Sequence, residues 1–459
     1  MNIIYYILFN LILAKLTLSY VIFPFKTRSS IIPNTDKDIT ALFKSLIDNN
    51  IFIELELGTP PQKIEVFLRS TTPDFYISEK NKSDERTSGS NPYIYDVGSD
   101  LNKFYDKSSS KSLQITSEEA ISEPLEEIPG NVSNDIFHFI NNNKEIKDKR
   151  FTFILFKSTL GYMPGVMGLH SILSIEDRNY NFLDQLKKND VINSYFWMIN
   201  YTSNYEGNLI LGEQPHIFDP NNYKEEDLYF SHPFIYDDFY DWGLPFDEIS
   251  FNNIKFRQFH DNSFSHELNY IKGGIELEQQ LDIYFNEYIN NKICFKESIE
   301  NPYGPNKFYY CKKDLYEKDL SKFPSLKLFQ YDFNFTFELT YKELFLEKND
   351  KLILMIFFDK RIFDWQFGKP FLRKYSFLMN QDTKLIGFYK KKSDYKNKEE
   401  KNWNSFAQSI LFLLLVICVV ILLIIFGIFL GMNFFRKKKC KYTIDDEYEY
   451  TTKNDDIIN

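Results

Sequence analysis

Near its start the chain reads Ile53-Glu54-Leu55-Glu56-Leu57-Gly58-Thr59-Pro60-Pro61-Gln62-Lys63-Ile64-Glu65-Val66-Phe67-Leu68, then Arg69-Ser70-Thr71-Thr72-Pro73-Asp74-Phe75-Tyr76-Ile77. From Ile51 onward the pattern is one of short alternating β runs broken by Gly, Pro and Asn, as in Phe151-Thr152-Phe153-Ile154-Leu155-Phe156 and Asn208-Leu209-Ile210-Leu211-Gly212. Frequent short strands with turn signals between them predict a mainly β body.

The first run closely resembles the opening strands of pepsin-like (family A1) aspartic peptidases, whose second strand ends in Asp-Thr-Gly-Ser-Ser-Asp. In the same register this chain has Arg69-Ser70-Thr71-Thr72-Pro73-Asp74. Further matches follow in order. Phe104 to Ser112 is similar to the family's serine-rich segment, and Pro164-Gly165-Val166-Met167-Gly168-Leu169 resembles its Asp-Gly-Ile-Leu-Gly-Leu turn. Phe182 to Leu186 resembles the short helix that comes next, while Tyr195 to Ile199 and Gly207 to Glu213 resemble the strands ending the first lobe. Trp242 to Ile249 parallels the opening strand of the second lobe. Phe363 to Tyr375 resembles the family's Trp-Ile-Leu-Gly-Asp-x-Phe-Leu-Arg-x-Tyr, and Leu385-Ile386-Gly387-Phe388 closes the series. The resemblance implies a bilobal fold, with an N-terminal lobe over 50–225 and a C-terminal lobe over 226–390. It also implies a second-lobe disulfide between Cys294 and Cys311, and two cysteines in a secreted region read most simply as one bridge.

Catalysis in that family needs two carboxylates sharing one proton. Arg69 stands in the first position, and a guanidinium has no acceptor lone pair and takes no proton from water. For the second position the favoured reading is Lys272, in Tyr270-Ile271-Lys272-Gly273-Gly274-Ile275 ahead of a helical run; Asp261-Asn262-Ser263 competes. The tyrosine that active relatives carry in a hairpin over the cleft is missing, since no tyrosine lies between Tyr105 and Tyr162. That segment instead holds Glu118, Glu119, Glu123, Glu126 and Glu127, read mainly as a solvated acidic loop, with contact to Arg69 and Lys272 as the sharper alternative. The expectation is an inactive pseudopeptidase that binds a peptide or protein. An aspartic endopeptidase with atypical site residues and a structural surface protein are the alternatives.

Two apolar segments predict the topology. Residues 1–19 read as a signal peptide with small Ser19 at the cleavage point, and 20–49 as a short pro-like segment. After a polar linker over 391–409, residues 410–432 carry no charge and are long enough to span a bilayer. Arg436-Lys437-Lys438-Lys439 then favours a cytosolic tail over 433–459. The predicted product is a single-pass type I membrane protein of the secretory pathway, at the plasma membrane or in endolysosomes. Asn81, Asn131, Asn200 and Asn334 begin glycosylation sequons. Cys440, directly after the basic cluster, is a candidate for palmitoylation or an unmodified thiol.

A net charge of −10 gives no argument for nucleic acid, which calls for a basic patch or stripe. The scattered histidines and four cysteines lack metal-ligand spacing, so neither a metal nor a cofactor is expected. The 46 Phe and 31 Tyr residues read as a bias running through the whole chain.

Overall fold

In the N-terminal half, β1 (Val21–Arg28), β2 (Asn50–Leu57), β3 (Gln62–Arg69) and β4 (Phe75–Glu79) are followed by β5 (Gln114–Ile121), β6 (Pro129–Asn141), β7 (Lys144–Lys157) and β8 (Gly165–Gly168). Helix α1 (Phe182–Lys188), β9 (Phe196–Tyr201), β10 (Glu206–Leu211) and β11 (Leu228–Ser231) complete it. The C-terminal half contributes β12 (Asn262–Phe264), β13 (Ile271–Lys272), α2 (Ile275–Asn290), β14 (Cys294–Asn301) and β15 (Gly304–Lys312). It continues through β16 (Phe345–Lys348), β17 (Lys351–Leu354), β18 (Ile356–Asp359), β19 (Trp365–Phe367), α3 (Lys369–Leu372), β20 (Phe377–Asn380) and β21 (Leu385–Tyr389). This computed structural model describes residues 20–28, 50–70, 72–80, 104–121, 129–141, 144–157, 165–170, 180–233, 235–236, 239–240, 242–256, 262–301, 304–359 and 365–390.

The β2–β3 hairpin shows how the sequence dictates the sheet. Ile51, Ile53, Leu55 and Leu57 are buried on one face, and Glu54 between them is exposed. Ile53 pairs with Val66 and Leu55 with Ile64, so the apolar residues of both strands meet on the core face. Full burial of each such side chain contributes about 1.5–3 kcal/mol. A shift of one residue would turn every one of them to solvent, which fixes the register.

Among the described residues thirteen strands form one sheet in the order β11-β21-β20-β9-β10-β1-β2-β3-β8-β4-β7-β6-β5. A second runs β12-β19-β13-β18-β15-β17-β16, with β14 on β15. The abundant aromatics form the interior. Phe75, Phe137, Phe151, Phe153 and Phe182 are fully buried in the first half, and Phe246, Phe337, Phe371 and Phe377 are buried in the second. Cys294 and Cys311 face each other across β14 and β15 and are bridged, closing that hairpin at the end away from its turn.

One expectation gains a structural setting and another is revised. Within 20–49, expected as a pro-like segment, β1 is a central strand paired to both β2 and β10, with Val21, Phe23 and Phe25 buried. Removing it would unpair two neighbours at once. The opening strand expected over Trp242–Ile249 begins only at Glu248; residues 242–247 are irregular. Residues 29–49, the signal peptide (1–19) and the linker, membrane segment and tail (391–459), including Cys440, lie outside the described residues. Among the described residues no helix is long and apolar enough to cross a membrane.

Candidate functional site

Each half contains the same three-strand unit. In the first, β8 lies between β3, parallel to it, and β4, antiparallel to it: Met167 faces Leu68 on one side and Phe75 on the other. In the second, β19 lies between parallel β12 and antiparallel β13: Phe367 faces Phe264 and Ile271. The loop between the outer strands has the same length in both, Leu68 to Phe75 and Phe264 to Ile271. A glycine directly follows Met167 and Phe367, for the same reason. A Cβ on Gly168 would lie 2.2 Å from the Thr72 carbonyl oxygen, and one on Gly368 would lie 2.2 Å from that of Tyr270.

The shared register of the two units assigns the two floor positions. Arg69 pairs with Gly168 and so stands at the first strand end. The residue standing beside Gly368 in the same way is Ser265, directly after Phe264. Lys272 is therefore corrected. It faces Gln366, as Tyr76 faces Val166, and is the counterpart of Tyr76, well beyond the strand end. The competing Asp261-Asn262-Ser263 ends two residues short of the position. The sequence reading required a glycine and a following helix. The strand-end turn has Glu267 where that glycine was sought, and α2 follows the third strand of the unit instead.

At the floor the two halves are joined by one carboxylate. The Ser70 backbone N–H donates to Glu267 Oε1 at 2.5 Å and its hydroxyl donates to Glu267 Oε2 at 2.9 Å. The Ser265 hydroxyl also donates to Glu267 Oε2, at 2.8 Å. Glu267 is half-buried as a residue, with its carboxylate enclosed by protein. Burial opposes its ionisation, yet the nearby Arg69 charge and the Ser265 hydroxyl outweigh it and hold the carboxyl below the usual range. Three donors take three of the roughly four acceptor sites of the carboxylate, and the neighbouring guanidinium charge further disfavours the proton uptake a general base needs.

Below this layer sits a basic one. Lys369 is fully buried and donates to Asn269 Oδ1 at 2.9 Å. Burial pushes its ammonium well below the ordinary lysine range; Arg373 and Arg69 act in the same direction and Glu267 opposes them. In the resembled motif this position, after the glycine, carries aspartate. His266 is buried between Tyr201, whose hydroxyl is 3.2 Å from His266 Nδ1, and Trp197. Burial drops its pKa to about 4, with Glu267 opposing and Lys369 adding to the shift, so the ring is neutral at physiological pH.

Sequence reading missed Ser265, His266, Glu267 and Lys369. A usable signal was present: Ser265 precedes Ile271 by the same interval as Arg69 precedes Phe75. For the flap region, β5 and β6 form a hairpin whose connecting residues 122–128, with Glu123, Glu126 and Glu127, lie outside the described residues. Glu118 and Glu119 are exposed on β5. Tyr105 is no flap residue; it is buried, with its hydroxyl on Asp135. Of the sequons, Asn334 is exposed in a turn, Asn131 and Asn200 are half-buried on strands, and Asn81 lies outside the described residues. Among the described residues no group of three or more His, Cys, Asp or Glu side chains is placed to hold a metal.

A family model for eukaryotic aspartyl protease matches residues 50–391. Among solved structures, the crystal structure of basic 7S globulin from soybean aligns with a TM-score of 0.51, covering 81% of this chain and 97% of that one at 12% identity. At that identity the likeness is one of fold. Comparison with curated proteins finds no match. With the paired strand units, the glycines behind both strand ends and a family match over most of its length, the chain belongs to the eukaryotic aspartyl protease family and has its pepsin-like, mainly β fold.

Proposed function

We propose that this family member is a catalytically inactive pseudopeptidase, held in the membrane by residues 410–432, whose lumenal or extracellular body binds a peptide or protein. The observation that carries the reading is the pair of residues at the two strand ends, Arg69 and Ser265. Neither is a carboxylate, so the two cannot alternate as ionised base and protonated acid across a scissile bond. Glu267 does not restore the chemistry. It is a single carboxylate, it is committed to Ser70 and Ser265, and its depressed pKa makes it a poorer base. The uncharged 410–432 stretch and the basic cluster after it support the anchor, and the sequons and the Cys294–Cys311 bridge fit a body in the secretory pathway.

The test is an assay of the purified full-length chain against a mixed peptide substrate from about pH 3 to about pH 7, the range in which a shared-proton carboxylate pair operates. No pepstatin-sensitive cleavage is expected. Cleavage abolished by pepstatin would restore the endopeptidase reading and show that another carboxylate pair reaches the floor.

A further inference from the structure

Arg373, at the end of α3, has a guanidinium whose immediate surroundings do not balance it. Its carbon lies 5.9 Å from the centre of the Tyr201 ring, and its Nε is buried without a hydrogen-bond acceptor. Burial works against its charge, and Tyr201 and Tyr205 offset this only in part. A buried donor without an acceptor is costly, and such a group in a folded protein calls for an explanation.

The space beside it supplies one. Arg373 lines a groove of about 590 Å³ that brings together parts distant in sequence: Tyr205 from the β9–β10 turn, Asn269 from the floor loop, and Phe345 and Leu346 from β16. That volume is in the range of ligand sites. The lining is basic and apolar together, with Lys342 and Lys374 beside Arg373 and with Met355 beside Phe345. Its two carboxylates are already engaged. Glu343 accepts from the Thr340 backbone at 2.8 Å and lies 3.2 Å from Lys374, and Glu347 lies 2.6 Å from Lys313 outside the groove. Lys342 is exposed at the rim.

We propose that this groove is a binding site for an acidic peptide segment, with a carboxylate seated on Arg373 and an adjacent apolar side chain against Phe345 and Met355. The planar fork of arginine matches a carboxylate, which would bond to the groove-facing end of the guanidinium and offset a charge that burial opposes. A small inorganic anion would leave the apolar part of the lining unfilled. An acidic peptide with interleaved apolar residues satisfies both parts. The site is independent of whether the floor at Arg69 and Ser265 cleaves peptides, so the two readings can fail separately.

The experiment is fluorescence anisotropy of a labelled peptide of alternating Leu and Glu titrated with the purified full-length chain. A matched Leu–Gln peptide is the control. The Leu–Glu peptide should bind, and its affinity should fall with added salt. The Leu–Gln peptide should bind about tenfold more weakly or worse, as expected when a charge-assisted pair is lost. Arg373→Gln should weaken Leu–Glu binding by about tenfold with an unchanged circular dichroism spectrum. Because Arg373 is largely buried, Lys342→Glu serves as the second variant; at the exposed rim it leaves packing alone and should weaken binding about threefold. Absence of Leu–Glu binding, equal binding of both peptides, or an affinity unchanged by Lys342→Glu would each overturn the proposal.

Discussion

In the N-terminal half Arg69 ends a strand beside Gly168, six residues ahead of Phe75; in the C-terminal half Ser265 occupies the same place beside Gly368, six residues ahead of Ile271. Backbone pairing, loop length and the glycine repeat faithfully, while the side chains at the strand ends do not. The glycines answer to sterics, because any Cβ there meets a carbonyl oxygen. The floor positions carry no such steric constraint, and here a guanidinium and a hydroxyl stand at them. A single carboxylate, Glu267, is hydrogen-bonded to both halves through Ser70 and Ser265. The comparison therefore separates positions that backbone sterics fix from positions that they leave open.

The largest effect should come from breaking the repeated element itself. Gly168→Ala and Gly368→Ala each set a Cβ 2.2 Å from a backbone oxygen, with no flexible side chain to yield. Each should destabilise by about 3 kcal/mol or more, and to a similar extent in the two halves. Chemical denaturation of both variants measures this; tolerance of one and not the other would show that the two units are not equivalent.

Acid should sharpen the contrast next, because the position after the strand end is His266 in one half and Ser70 in the other. The histidine has a pKa of about 4 when folded, against about 6.5 when exposed. The unfolded chain therefore binds the extra proton, and stability falls as pH drops from about 6.5 to about 4, by up to about 3 kcal/mol. Glu267 adds to this at lower pH: its depressed pKa gives stability that is present above the unfolded value and lost as pH falls through the folded one. His266→Gln should flatten the upper part of the profile, seen as thermal midpoints that change less between neutral and mildly acidic buffer.

Glu267→Gln should cost about 2 kcal/mol, since it weakens the bonds to Ser70 and Ser265 and removes the charge facing Arg69. A second change, Arg69→Gln, should recover part of that loss; full additivity of the two would mean that the pair does not interact.

The smallest effect belongs to Lys272. It is half-buried on β13, where burial lowers its pKa and Asp359 opposes the shift. Lys272→Met should change stability by less than about 1 kcal/mol and leave the floor intact. A large effect on ligand binding from this variant would return Lys272 to the site.

The local features were legible in the sequence because they depend on near neighbours. Alternation from Ile51 to Val66 gave β2 and β3, and the resemblance of Phe182 to Leu186 to a short helix gave α1, which the structure shows capped by Asn181 accepting from the Asp184 N–H. Arg69 was legible because it lies in unbroken register with the Gly58–Pro61 turn. The second floor position was not, because its identity depends on β19, a strand about a hundred residues downstream that pairs on both sides. No turn glycine marked it, and the longer α2 drew the reading toward Lys272.

By itself, then, the sequence determined the family scaffold, the presence of Arg69 in register with the Gly58–Pro61 turn, and the two cysteines available for a bridge. Tertiary structure alone decided that Ser265 is the partner position, that β1 is a central strand, and that Glu267 joins Ser70 across the floor. The physical reason is range. Period-two burial and turn chemistry act over a few residues of chain, whereas a site formed where two strand units meet is specified by pairing register, and register is settled only when strands distant in sequence come together.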